Sequence, residues 1–127
     1  MNITVKQLVE IHKSLTALSN VKTSLWYTVT KNLAKTKPPF NAYLEIETIA
    51  AKNTAEMDEN GNPIFDSAGN LIFQTASKET EFDEIQKKEL SEVIEVEFYQ
   101  TKITPEFINE SHASALIEPL IDIILIE

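Results

Sequence analysis

The sequence predicts an α+β fold, with an N-terminal helical hairpin and further helices packed on a small, mainly antiparallel sheet. Apolar residues recur at three- and four-residue intervals over residues 5–18, and every four residues over residues 21–33. This is the spacing of amphipathic helices. Residues 92–103, in contrast, alternate apolar and polar side chains as a half-buried strand does. That strand needs backbone partners, so weaker strand signals elsewhere must complete a sheet.

The chain is predicted to form a single domain over residues 1–127, because 43% of the residues are hydrophobic and the length allows a sizeable core. Within it, residues 1–52 are mainly helical and residues 55–77 form a β-loop built on a repeated turn. Residues 78–127 follow the order helix, strand, helix.

The first helix is expected over Val5–Leu18, and residues 1–4 can add a short strand before it. Thr4 and Gln7 have the spacing of a capping box, in which each side chain binds the backbone N–H of the other residue. The apolar positions of this helix are Leu8, Ile11, Leu15 and Leu18.

A second helix of about sixteen residues is predicted after Asn20, which is expected to be its N-cap. It should end at Lys37, because the residue before a proline is pushed out of the helical region and two prolines follow. Joined so tightly, the two helices should form an antiparallel hairpin. Trp26 flanks the apolar stripe of this helix and is interpreted as a core residue. The stripe consists of Val21, Leu25, Val29 and Leu33.

Residues 40–52 fit either a helix or a strand. Leu44, Ile46 and Thr48 alternate with polar neighbours as a strand would, but alanines at three positions favour a helix. We therefore predict a helix in this segment.

One segment is repeated, since residues 58–65 (DENGNPIF) are followed directly by residues 66–73 (DSAGNLIF). Each copy begins with Asp-x-x-Gly, which suits a turn that the aspartate caps and the glycine leaves with positive φ. The Ile-Phe pairs between the turns predict a small meander or protruding β-loop. A calcium loop would need glycine at its sixth position and glutamate at its twelfth. Pro63 and Gly69 stand there instead, so a turn is the better interpretation.

The next helix is predicted over Lys78–Leu90. Thr80 is its expected cap, and Glu84 and Lys88 are spaced for a surface ion pair. The strand of residues 92–103 follows it.

After the strand, Thr104 and Pro105 are expected to cap and open a short helical turn. From Ser111 to the end, a polar residue at every fourth position in an apolar background predicts a mostly buried helix that Pro119 kinks or restarts. A strand over residues 121–126 is the competing interpretation, because this segment is rich in isoleucine.

The net charge of −9 argues against general nucleic-acid binding. Residues 1–37 hold six lysines and one acid, whereas residues 38–127 hold five lysines and nineteen acids. This asymmetry suits charge complementarity within the chain or between copies of it. The sequence contains no arginine and no cysteine, so disulfides are excluded. It lacks a secretory signal and an apolar run of membrane-spanning length, which predicts a soluble protein.

Motifs for catalysis or cofactor binding are missing from the sequence. His12 and His112 lack the spacing of a zinc site and are interpreted as ordinary surface residues. Glu95 and Glu97 share one strand face, but such a pair is typical of a solvated surface. Neither a glycine-rich phosphate loop nor a GxSxG elbow is present. We predict that the protein is not an enzyme and has no catalytic, cofactor-binding or metal-binding residues and no cofactor.

Trp26, Tyr27 and the lysines of the second helix are residue types that could stack on a single strand and neutralise its phosphates. The acidic remainder of the chain would repel such a ligand, so no nucleic-acid partner is expected.

Several local features occur in an informative order: Ile3 with Leu8, the Leu15/Leu18 step, the turn at residues 58–63, Glu81-Phe82, and the glutamate-flanked strand over residues 92–98. Together they resemble a family of small phage-encoded proteins grouped as a domain of unknown function. This chain differs from that family in having no arginine in its second helix and a second copy of the turn. The resemblance implies a viral origin and an accessory role in particle or tail assembly, and hence a location in the cytoplasm of a host cell or in the virion.

The predicted function is that of a non-enzymatic interaction protein that self-associates as a homo-oligomer, or binds a phage or host protein, without a membrane partner. The apolar tail from Leu116 is denser than one small domain needs, which invites burial against another copy. The alternative function is that of an acidic DNA mimic that inhibits a host nucleic-acid enzyme, and the nineteen acids after residue 37 motivate it.

Overall fold

The computed structural model describes residues 1–110 and 114–127 and has the predicted α+β composition. The residues cluster into two compact units. We call Met1–Phe40 with Val93–Glu127 the terminal unit, and Asn41–Glu92 the central unit. The elements in chain order are β1 (Asn2–Thr4), α1 (Val5–Ser19), α2 (Trp26–Thr54), α3 (Ala76–Ser91), β2 (Val93–Glu95), β3 (Thr101–Lys102), α4 (Pro105–Ile108), α5 (Ser114–Ile117), a 3-10 turn (Glu118–Leu120) and β4 (Leu125–Ile126).

α1 begins with the predicted capping box. The backbone N–H of Gln7 donates to Thr4 Oγ1 at 3.1 Å, and the Thr4 N–H donates to Gln7 Oε1 at 2.9 Å. The four predicted core residues of this helix are each at most 1% exposed. Burial of one such side chain contributes about 1.5–3 kcal/mol. All four belong to the core cluster of the terminal unit, so α1 is a main contributor to that core.

α2 starts later than predicted, and Asn20 is not its cap. The Asn20 N–H donates to the carbonyls of Ala17 and Leu18, so this residue ends α1 instead. Val21 consequently lies between the helices and is 48% exposed, outside the apolar stripe in which the sequence pattern had placed it.

α2 also continues through the two prolines that were predicted to end it, which makes residues 40–52 helical as expected. Pro38 and Pro39 cannot donate hydrogen bonds to the carbonyls four positions earlier, those of Ala34 and Lys35. Both of these residues are exposed. The two missing hydrogen bonds thus lie on the exposed side of the helix, where the loss costs least.

α1 and α2 form the predicted helical hairpin, and His12 lies at their contact. His12 Nδ1 and Thr36 Oγ1 share a hydrogen bond of 2.9 Å, and the imidazole stacks on Phe40 with ring centroids 4.0 Å apart. His12 is only 8% exposed, so its prediction as a surface histidine is wrong. It follows Ile11 on the side of α1 that faces α2. His112 lies outside the described residues.

The strand predicted over residues 92–103 is divided into β2 and β3. β2 pairs with β1 in antiparallel fashion, with Ile3 opposite Ile94, and β3 pairs with β4 in parallel. The predicted alternation is nevertheless confirmed, because every second residue packs on or in the core. The inward residues are Ile94, Val96 and Phe98, and the exposed ones are Glu95, Glu97 and Tyr99.

The strand is divided because the side chain of Asn32 takes the place of a partner strand. The Tyr99 N–H donates to Asn32 Oδ1 at 2.8 Å, and Asn32 Nδ2 donates to the Tyr99 carbonyl at 2.8 Å and to the Thr28 carbonyl at 2.9 Å. Asn32 has no exposed surface. Both backbone groups of Tyr99 are thereby satisfied without a strand ladder.

The C-terminal segment ends as a strand, so the helix predicted to run to the end is wrong there. After the 3-10 turn, Asp122 adopts a φ of 67°, which interrupts helical geometry. The Thr101 N–H then donates to the Ile124 carbonyl at 2.9 Å. Pairing with β3 makes a strand of Leu125–Ile126 only, and turn residues precede it, so the competing strand over residues 121–126 forms only at its end. Ser111, the predicted start of the helix, lies outside the described residues.

Threonine caps two of the remaining helices. Thr75 Oγ1 accepts the Lys78 N–H at 3.1 Å, so α3 begins before the predicted cap, Thr80, which lies inside the helix. Thr104 Oγ1 accepts the Phe107 N–H at 3.1 Å and caps α4 as predicted.

The repeated turn of the central unit adopts the predicted geometry twice. In each copy the aspartate Oδ1 accepts the backbone N–H groups two and four residues later, at 2.9–3.0 Å. The glycine N–H donates to the aspartate carbonyl at 3.1 Å in the first copy and 3.0 Å in the second. Gly61 and Gly69 have φ angles of 77° and 84°, the left-handed conformation that glycine adopts without strain.

Three backbone hydrogen bonds close the β-loop. Two of them join residues eight positions apart, and the third joins the two ends of the loop. The Ile64 N–H donates to the Glu56 carbonyl at 2.9 Å, the Ile72 N–H to the Ile64 carbonyl at 3.0 Å, and the Glu56 N–H to the Ile72 carbonyl at 2.8 Å. Glu56, Ile64 and Ile72, which are spaced by the eight-residue period of the sequence, are thus linked to one another in a closed cycle. The loop packs on the helices through a small cluster of Ala50, Ala51, Leu71, Phe73, Phe82 and Ile85.

Candidate functional site

An exposed aromatic cluster lies at the N-terminal end of α2. Trp26, Tyr27 and Tyr99 are 64%, 48% and 41% exposed, and we call these three residues the aromatic surface. The Tyr27 ring meets both neighbours edge-on, with centroids 5.9 Å from Trp26 and 5.6 Å from Tyr99. The ammonium group of Lys31 lies 5.7 Å from the Tyr27 centroid, within the range of a cation–π interaction.

The prediction that Trp26 lies in the core is wrong. Leu25, directly before α2, and Val29, in its first turn, are both buried and lie four residues apart. Trp26 and Tyr27 follow Leu25 by one and two positions, or about 100° and 200° around the helix, so their rings project away from the buried side. Two adjacent aromatic residues beside a narrow apolar stripe were the sequence signal for this surface.

Glu110 holds the start of α2 in place. Thr23 Oγ1 donates to Glu110 Oε2 at 2.9 Å, and the Ser24 N–H donates to Glu110 Oε1 at 2.6 Å. The Leu25 N–H donates in turn to Thr23 Oγ1 at 3.3 Å. A carboxylate is also favoured at a helix N-terminus by the helix dipole. The backbone that carries Trp26 is therefore held at its first turn.

An open groove of about 480 Å³ borders Trp26. Ser24 Oγ is buried beside it and has no hydrogen-bond partner among the residues that the structure describes. The groove combines one cation with two acids, a mixed lining that suits a polar protein segment better than a polyanion. Its lining residues are Lys22, Thr23, Ser24, Trp26, Glu106 and Glu110.

Three lysines continue from the aromatic surface along α2. Lys31, Lys35 and Lys37 are all exposed. Over residues 1–110 and 114–127 the one ion pair joins Lys78 and Glu81. The three lysines of α2 therefore have no acidic partner in the described part of the chain, and their charges are available to another molecule.

The central unit contains a polar cluster between α2 and α3. The Tyr43 hydroxyl donates to Glu47 Oε2 at 2.6 Å, and Gln86 Nε2 donates to the same oxygen at 3.4 Å. Burial, together with the hydrogen bond to Glu47, raises the pKa of Tyr43 to about 12. A hydroxyl that keeps its proton so firmly is a poor general base. We interpret the cluster as a structural link between the two helices.

The central unit exposes more large apolar side chains than it buries. Its two large fully buried residues are Tyr43 and Phe82; its other fully buried apolar residues are alanines, against which Leu71, Phe73 and Ile85 are partly buried. Exposed aliphatic residues beside so small a core make this surface a candidate for a protein contact. The exposed residues are Leu44 (41%), Ile46 (39%), Ile49 (52%) and Phe65 (58%).

Other candidate residues are not brought together. Glu95 and Glu97 are exposed, as the strand pattern predicts. Burial, and to a lesser extent the charge of Lys37, lowers the pKa of His12. In the described ranges, no three histidine, aspartate or glutamate side chains lie close enough to hold a metal ion. No helix formed by the described residues has both the length and the apolar character needed to cross a membrane.

Comparison of the chain with protein-family models, curated protein sequences and solved structures gave no match. Its function is therefore argued from the chemistry of its own surfaces.

Proposed function

We propose that this chain is a non-enzymatic interaction protein, an accessory of phage structure or assembly, that associates with further copies of itself. The observation that carries the proposal is the exposure of large apolar side chains on both units, such as Trp26 at 64% and Ile49 at 52%. Exposed apolar clusters on a folded domain are typical of protein interfaces. Tryptophan and tyrosine are enriched among the residues that dominate binding energy. The phage assignment depends on the sequence resemblance described above.

Hydrogen bonds that hold the backbone of the aromatic surface in place favour a binding role. Asn32 holds the backbone of Tyr99 through two hydrogen bonds of 2.8 Å. Glu110 holds the residues directly before Trp26. A surface that is already ordered loses less conformational entropy when a partner binds. The aromatic surface is thus organised before binding.

The charges beside the aromatic surface suit an acidic protein partner. Lys31 and Lys35 are exposed and have no acidic partner among the described residues. Carboxylates on a partner would complement them and accelerate association. Further copies of this chain, with a net charge of −9, offer such carboxylates.

The proposal is tested by sedimentation velocity of the purified chain from about 1 µM to about 100 µM, a range that covers weak protein interfaces. We expect the sedimentation coefficient to rise with concentration. A single monomeric species throughout this range contradicts self-association.

Trp26 also reports which surface is used, because it is the only tryptophan in the sequence. Acrylamide quenching of its fluorescence should be strong in the monomer. Protection that grows with protein concentration would assign the contact to the aromatic surface, whereas unchanged quenching on association would assign it to another surface.

An acidic DNA mimic is the second candidate, and the charge of the central unit favours it. Residues 41–92 hold twelve acids and four lysines, a net charge of −8. A DNA mimic needs carboxylates at phosphate-like spacing without cations between them. On α3, however, Lys87 and Lys88 follow Asp83 and Glu84 by four residues each, so both signs share one side of the helix. We therefore rank it below the interaction protein.

The predicted ion pair between Glu84 and Lys88 is not formed among the described residues, where Lys78 pairs with Glu81 instead.

The DNA-mimic hypothesis is tested by asking whether the chain displaces DNA from a host DNA-binding enzyme. Displacement that weakens steeply with salt would support it, and no displacement at a large molar excess would contradict it.

A further inference from the structure

We propose that two copies of this chain pair through an antiparallel contact between their α2 helices, centred between Ile46 and Ile49. The inference depends on the proposed function, since it names one surface through which copies associate, formed by residues other than those of the aromatic surface. We call Ala42, Ile46, Ile49 and Asn53 the helix seam.

The seam has the spacing of a helix-pairing surface. Its four residues are separated by four, three and four positions, which aligns them along one side of an α-helix as in the repeat of coiled coils. All four are exposed. The seam is thus a continuous strip of about three helical turns that the chain itself leaves uncovered.

An antiparallel arrangement matches the seam to itself. A two-fold axis midway between Ile46 and Ile49 places Ile46 of each copy against Ile49 of the other, so this contact occurs twice. The same axis places the small Ala42 opposite Asn53, whose amide can stay hydrated at the edge. Such an isologous contact closes after two copies and does not grow into a filament.

The charges beside the seam select the antiparallel orientation. Glu45 and Lys52 each precede a seam residue by one position, so both lie on the same flank. About the proposed axis, Glu45 of one copy and Lys52 of the other differ in height by two residues, or about 3 Å along the helix. In a parallel pair, residues of the same flank lie on opposite sides of the contact, so Glu45 of one copy could not reach Lys52 of the other. The antiparallel pair therefore gains two ion pairs between copies.

Both charges are available for this contact. Glu45 and Lys52 are exposed, and neither is part of the ion pair that the described residues form. The apolar contribution is modest, because Ile46 and Ile49 are already partly covered, at 39% and 52% exposed. The contact is therefore expected to be weak, and sedimentation measurements up to about 100 µM are needed to detect it.

The test uses two charge reversals, Glu45→Lys and Lys52→Glu, each measured alone and then as an equimolar mixture. Alone, each variant sets like charges against each other twice in the symmetric pair, and we expect dimerisation to weaken roughly tenfold. In the mixture, the introduced lysine faces the introduced glutamate, and the native Glu45 faces the native Lys52. We therefore expect the mixture to dimerise about as well as the wild type.

Glu84→Lys is the matched control, because it makes the same charge change on α3, and it should dimerise like the wild type. Circular dichroism confirms that each variant is folded, and Ile49→Ser provides a second, uncharged way to weaken the seam. If the wild type associates and neither reversal affects it, the seam proposal is overturned while self-association stands. The seam is also overturned if both reversals weaken association and their mixture does not restore it. A wild type that stays monomeric up to about 100 µM overturns both proposals.

Discussion

Replacement of Asn32 by alanine should destabilise the terminal unit far more than the loss of one small side chain suggests. The amide of Asn32 makes three hydrogen bonds of 2.8–2.9 Å, two of them to the backbone of Tyr99. Each backbone group left without a partner costs about 1–3 kcal/mol. Because Tyr99 is 41% exposed and water can partly replace the amide, we expect a total loss of about 2–4 kcal/mol in the free energy of unfolding.

The assay is urea unfolding followed by the fluorescence of Trp26, which lies in the same unit as Asn32. Thr30→Ala is the control, because Thr30 is an exposed residue of the same helix and surface changes of this kind stay within about 0.5 kcal/mol. Asn32→Asp keeps the size and one acceptor but loses both donors. It should be at least as destabilising at neutral pH and partly recover in acid, where a protonated carboxyl donates again. A loss below about 1 kcal/mol for Asn32→Ala would refute the role of Asn32 as a substitute strand partner.

Further predictions concern the turn repeat and two titrating groups. Gly69→Ala should lower stability by about 1–2 kcal/mol through backbone strain alone, because φ is 84° and an added Cβ meets nothing within 4 Å. Gly69→Asn should lower stability less, and thermal denaturation of both variants measures the difference. The raised pKa of Tyr43 stabilises the fold below pH 10, and this contribution should be lost as the pH rises from 10 towards about 12; Tyr43→Phe should remove that part of the alkaline loss measured by urea midpoints. The lowered pKa of His12 favours the neutral imidazole in the fold. The stabilisation by neutral His12 is complete above the unfolded pKa of 6.5 and declines as the pH falls below it. His12→Gln should therefore flatten the dependence of the free energy of unfolding on pH in this range. An unchanged slope would contradict the role of His12.

Local interactions are what the sequence could reveal about the fold. The capping box of Thr4 and Gln7 and the turns around Gly61 and Gly69 involve residues within four positions of each other. Their chemistry is complete within the segment, so spacing alone predicts them. The inward alternation of residues 92–98 was equally readable, since it depends only on the two-residue period of an extended chain.

Distant interactions decided the features that the sequence did not reveal. The division of the long strand depends on Asn32, 67 positions before Tyr99 in the chain. The course of α2 through Pro38 depends on the exposure of that side of the helix, which only the folded chain defines. The C-terminal strand requires β3 as its partner. These outcomes follow from tertiary contacts that override local propensity.

The aromatic surface illustrates the same limit for function. The residues were visible in the sequence, but the contact of Tyr27 with Tyr99 and the support that Glu110 gives to the start of α2 join distant parts of the chain. The candidate site could therefore be named by residue type but not located.

The most direct test of the central claim, that this chain acts through contacts with its own copies, is its molar mass in solution as a function of concentration. Light scattering of the eluting protein should give a mass that rises from one chain towards two as the concentration increases through the micromolar range. A mass that stays at one chain up to about 100 µM would contradict the claim.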